Sequence, residues 1–216
     1  MIGEYFREFL ARFSTFRKIE PIDDVHAFTE FLASRSAFVS QKKLYEFVKQ
    51  RMGISYPRHF RDDDFITSLN TAKWHVYAAA LSDLAIWMGA QVHEAGATPQ
   101  EATRLTAHAF RHAVTERFNR DEFTGDFETL IREYEDRAAL ADWVALAHGE
   151  AAFKLSPKAL VKWAPISDEL KRYDVEIVMN SLRFAWLAIR DQYRKAADST
   201  AVLADWRENE GLGIRD

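Results

Sequence analysis

DDDFITSLNTAKWHVYAAALSDLAIWMGAQVHEAG, residues 62–96, is the longest apolar-periodic run in the chain. Its ends are marked. Asp62, Asp63 and Asp64 offer N-cap oxygens and suit the positive end of a helix dipole. Gly96, followed by Pro99, supplies the stop. At about 100° per residue, Phe65, Leu69, Val76, Ala80, Leu84 and Trp87 share one face, which Trp74, Tyr77, Leu81 and Met88 widen. An apolar arc of about half the circumference or more belongs to a helix surrounded by others. This hub predicts an all-α fold.

Composition agrees. The chain has 216 residues, 48% hydrophobic and 29% charged, which is globular composition. Its 8 glycines and 5 prolines are too few for the many turns of an all-β protein. With no cysteine there are no disulfides, thiolate zinc sites or cysteine nucleophiles. A net charge of -4 gives no general attraction to nucleic acid. No apolar run reaches the ~20 residues needed to span a bilayer, and the N-terminus does not read as a signal peptide. A cytoplasmic location is expected.

The chain divides as follows. Residues 2–18 form an amphipathic helix, with Ile2, Phe6, Phe9, Leu10, Phe13 and Phe16 on one side. Within a single domain spanning 1–216, residues 1–20 form a separable N-terminal unit. Its phenylalanine face either docks on the body or contacts a membrane surface or partner, and its mixed-sign polar face weakens the membrane option. Asp23 and Asp24 cap a helix that breaks at Ser34-Arg35-Ser36, and a second runs to Gly53. Thr98, Pro99 and Glu101 open the helix after the hub with a capping box. Another helix runs from Phe127 to Gly149, and Ser156-Pro157 starts a short one. Ser167-Asp168-Glu169 opens the last long helix, whose stripe Val175, Val178, Leu182, Trp186, Ile189 and Tyr193 spans about 80° of arc. Asp198-Ser199-Thr200 begins a terminal helix with Leu203 and Trp206. The expectation is a bundle of about seven to nine helices with two long central ones, the hub and the Val175 to Tyr193 helix, packed together.

Catalytic patterns are missing. There is no Gly-x-Ser-x-Gly elbow, no Gly-rich loop before a helix and no Glu-x-x-His pair. The best metal-like spacing is His108, His112 and Glu116, at i, i+4 and i+8, and it supports an alternative reading as a helical enzyme or metal-binding protein. The bland reading packs His112 beside Leu105 and Ala109 and leaves His108 and Glu116 in solvent. No cofactor is expected. Lys73 and Asp83 in the hub, and Asn180 and Asp191 on the last long helix, either pair between helices or form the polar floor of a cleft.

Several segments resemble the ubiquinol–cytochrome c chaperone family, helical assembly factors of the respiratory bc1 complex. They are Leu44-Tyr45-Glu46, Asp63-Asp64-Phe65, His75-Val76-Tyr77, Ala107-His108-Ala109-Phe110, Ala185-Trp186-Leu187-Ala188, Asp198-x-Thr200 and Ala204-Asp205-Trp206-Arg207. Trp74 stands where the family has leucine, and Ser82 where it tends to carry arginine. The resemblance implies a non-enzymatic protein that holds a hydrophobic membrane subunit during assembly, peripheral to the inner membrane. Trp74, His75, Tyr77 and Trp206 are then the expected partner-binding residues, and Phe6, Phe9, Phe13 and Phe16 the expected membrane contact.

Overall fold

The computed structural model describes residues 20–118 and 122–211, with side chains through residue 208. The helix expected over residues 2–18, with Phe6, Phe9, Phe13 and Phe16, lies outside the described residues. The rest is a bundle: α1 (Val25–Met52), a 3-10 turn (Gly53–Ser55), α2 (Tyr56–His59), α3 (Asp63–Glu94), α4 (Pro99–Arg117), α5 (Phe127–Ala139), α6 (Trp143–Ala147), α7 (Leu155–Trp163), α8 (Asp168–Lys171), α9 (Val175–Ala196) and α10 (Ser199–Gly211). Among the described residues there is no strand. The nearest approach is a single parallel bridge between Ile22 and Ala197. No helix among them is long and apolar enough to cross a membrane.

The hub is α3, a helix of 32 residues. Asp62 caps it, its carboxylate accepting from the Phe65 N–H at 3.0 Å. From Val76 to Ala90 every residue is buried except Ala79. Burial on all sides follows from its neighbours: α1, α4, α6 and α7 pack around it. Gly89 permits the closest of these approaches, since a Cβ there would lie 2.7 Å from both the Thr106 methyl and the Trp143 ring. The start of α4 carries the expected capping box, with the Thr98 hydroxyl accepting from the Glu101 N–H and the Glu101 carboxylate accepting from the Thr98 N–H.

Four expectations are corrected. Residues 25–52 form one helix of 28 residues with no break at Ser34-Arg35-Ser36. The Ser34 hydroxyl donates back to the Phe31 carbonyl, which lets serine sit inside a helix without ending it. The Phe127 to Gly149 segment divides instead, because the turn at Leu140–Asp142 starts a new cap at Asp142. The last long helix begins at Val175, after α8 and a turn in which the buried Asp174 carboxylate is gripped by Arg51 of α1. Finally, the hub's long neighbour is α1. The α9 helix packs on α1 and α7 and meets the hub chiefly where the Tyr193 and Trp87 rings touch edge to face at 5.4 Å.

Candidate functional site

The polar residues inside the hub separate into two kinds. Asp83 is fully buried and completely engaged. It accepts from Arg137 at 3.0 Å, from the Leu155 N–H at 3.1 Å, and from both the N–H and hydroxyl of Ser156 at 2.8 Å. Arg137 also donates to the Ser82 hydroxyl and the Ala152 carbonyl, and Trp186 donates its indole N–H to Ser156. Burial pushes the Asp83 carboxyl upward, while Arg137, Ser156 and Leu155 oppose that push. This network fixes α5, α7 and α9 against the hub. Lys73 pairs with Glu122 at 2.8 Å. Asn180 and Asp191 correct the expectation of interhelical pairing, since both are exposed and Asp191 pairs with Arg194, a turn away on the same helix.

The second kind, His75 and Ser82, lines an opening. His75, Ala78, Ala79 and Ser82 stand at i, i+3, i+4 and i+7 and so share one face of the hub. That face is the floor of a cleft of about 480 Å³ between α5 and α7. The volume falls within the usual range of ligand sites. Phe110, Leu130 and Tyr134 form one wall, and Leu155, Ala159 and Trp163 the other. Its lining is basic on the α7 side, with Lys158 and Lys162, and carries Asp126 and Glu133 on the α5 side beside Arg137, whose charge is paired with Asp83. His75 closes one end. Its ring stacks on Trp163 at 3.6 Å with the planes 1° apart, and Nε2 lies 2.9 Å from the Thr124 hydroxyl. Burial, then the nearby Lys162 ammonium, hold its imidazole below the usual range, so it is neutral near pH 7.

Of the four expected partner residues, only His75 lines this cleft. Trp74 and Tyr77 form an aromatic cluster with Phe118, at 5.0 and 5.1 Å, where the Trp74 indole donates to Glu122 at 2.6 Å, and Phe123 joins that cluster to the cleft end at His75. Tyr77 is buried, so it opens into no groove. Trp206 lies on α10 and packs on His108 at 5.6 Å. That contact explains His108 without a metal. His112 and Glu116 are exposed, and no group of three or more potential ligands comes together among the described residues. The bland packing of His112 is therefore corrected as well: it is His108 that packs.

Sequence reading missed Ala78, Ala79, Trp163, Lys158 and Lys162. A signal was present: small residues at 78, 79 and 82 on the same helical face as His75. No protein-family model matches the chain, no curated protein matches it, and no solved structure matches it.

Proposed function

We propose that the protein is a non-enzymatic helical adaptor or chaperone-like assembly factor, and that the cleft at His75 receives an apolar helical segment of a partner. One observation carries this reading: the one interruption in burial between Val76 and Ala90, at Ala79, lies on a floor of small side chains with aromatic walls. Small residues at i and i+4, here Ala78 and Ser82, let a second helix backbone approach closely. The charges on its two sides would set its orientation more than its affinity. The fully buried carboxylate of the hub, Asp83, is held in a structural pair with Arg137. The resemblance to bc1 assembly factors supports the specific form of the proposal, in which the segment belongs to a hydrophobic membrane subunit such as cytochrome b.

The test is Ala79→Trp, which fills the floor from a position that is not buried. In mild detergent the wild-type protein should bind synthetic transmembrane segments of such a subunit, and the variant, with unchanged circular dichroism, should not. Equal binding by both proteins sinks the cleft as the receiving site.

A further inference from the structure

A cavity of about 430 Å³ opens between α7 and α9, on a different side of α7 from the His75 cleft. Its volume is within the range of small-molecule sites. The floor is core: the Phe153 and Trp186 rings, stacked at 4.9 Å, with the buried Pro157. Met179 on α9, 41% exposed, adds a flexible thioether that adapts to what it meets. The exposed Asn180 adds an amide.

Four charged side chains line the cavity: Glu150, Lys154, Lys158 and Arg183. Arg183 donates to Glu150 at 2.5 Å, so those two compensate each other. Lys154 and Lys158 are exposed, one helical turn apart, and in no ion pair among the described residues. The mouth therefore holds two uncompensated positive charges above an apolar floor. Lys154 is an unfavourable choice on local grounds. It stands at the N-cap of α7 without capping it, where Ser, Thr, Asp or Asn is preferred and where the helix dipole is already positive. The backbone at this end offers no anion site of its own. The Leu155 and Ser156 N–H groups are taken by Asp83, and Pro157 has none. Holding an anion here falls to side chains, chiefly the two ammonium groups. They act as point charges and do not require one arrangement of acceptor oxygens.

We propose that the cavity binds a small organic anion with a compact apolar body. The anionic head, a carboxylate, sulfonate or phosphate ester, sits between Lys154 and Lys158, and the body lies against Phe153, Pro157 and Met179. The site does not depend on the helical segment assigned to the His75 cleft, although Lys158 borders both openings.

Anilinonaphthalene sulfonate, an aromatic anion that fluoresces in apolar surroundings, is a direct probe. The full-length protein should bind it saturably, one to one, and more weakly as salt is raised. Lys154→Gln with Lys158→Gln should weaken binding about tenfold or more, while Lys154→Arg with Lys158→Arg retains it. Naphthoate or naphthyl phosphate should displace the probe, and neutral naphthylmethanol should not. Methyl NMR reads the location separately. The Met179 signal should shift on titration, while that of Met88, buried in the hub, stays in place. Ala79→Trp, which fills the His75 cleft, should leave all of this unchanged, so either reading can fail alone. No saturable binding, binding indifferent to both lysines, or equal displacement by the neutral alcohol overturns the proposal. Loss of binding in Ala79→Trp, with an unmoved Met179 signal in the wild type, overturns it too and places the anion in the His75 cleft.

Discussion

Ser156 gives Asp83 two hydrogen bonds at once, from its backbone N–H and its hydroxyl, each 2.8 Å from Oδ2. The contact joins the first turn of α7 to the middle of the hub, residues 73 apart in sequence. A fully buried carboxylate is tolerated only when its donors are all in place. Here they include a guanidinium and two backbone N–H groups that otherwise have no helical partner at the start of α7.

Asp83→Ala should therefore cost about 3–5 kcal/mol, because it leaves Arg137 and the α7 donors without their acceptor. Ser156→Ala removes only the hydroxyl, and with it the acceptor for Trp186, so about 1–3 kcal/mol is expected. The two effects share a network and should not add. Urea denaturation of the single and double variants measures this, and additive losses would show that the network does not act as a unit.

Gly89 sets two effects against each other. Alanine within a helix gains about 1 kcal/mol over glycine. At Gly89 the added Cβ would sit 2.7 Å from the Thr106 methyl and from the ring of the buried Trp143. An indole in a packed core has no room to rotate away, and overpacking costs about 1–3 kcal/mol. The clash should win and Gly89→Ala should lower the melting temperature. Trp143→Leu in the same chain should recover part of the loss. A Gly89→Ala protein more stable than wild type would mean that α6 can shift away from the hub freely.

The fold class was legible because the hub's apolar arc and the capping box at Thr98 are local signals, and both formed as read. Helix boundaries were harder. Ser34 and Ser36 look like a break, yet a serine hydroxyl satisfied by its own helix is silent in sequence. Asp174, where the last long helix is interrupted, is held by Arg51, 123 residues away, a contact silent in the local sequence. The site was legible at one residue. His75, singled out by the family resemblance, lines the cleft, whereas Trp74 and Tyr77, its neighbours in sequence, point elsewhere because successive helical residues face different directions. Trp163, which completes the cleft end, reaches His75 only through the tertiary fold.

Glu101 is the link between α4 and α10, accepting from Arg207 at 2.7 Å while it closes the cap on Thr98. The Arg207 hydrogen bond, then that of Thr98, hold its carboxyl down at about 2, against an ordinary 4.5. A depressed carboxylate stabilises the fold above its unfolded pKa and loses that contribution as pH falls through its folded one. The window is thus from about 4.5 down to about 2. Wild type should be more stable than Glu101→Gln near neutral pH, and the difference should shrink across that window until the two coincide. A difference that does not change with pH would assign it to packing instead of charge.

His75 carries the opposite kind of titration. Its burial against Trp163 and its proximity to Lys162 lower its pKa from the ordinary 6.5. The unfolded chain therefore takes up the proton first, so acidification favours the unfolded state across the interval below 6.5. Lys162 makes the folded imidazolium worse still by placing a second cation beside it. The local consequence is at the cleft: as pH falls below this point, the His75–Trp163 stack should loosen before the rest of the bundle yields. Indole fluorescence of a variant retaining Trp163 alone among its tryptophans would report the step, provided its circular dichroism matches wild type. His75→Gln should abolish the step, and Lys162→Gln should move it to higher pH. A fluorescence transition that survives His75→Gln unchanged would assign the acid sensitivity to some other group.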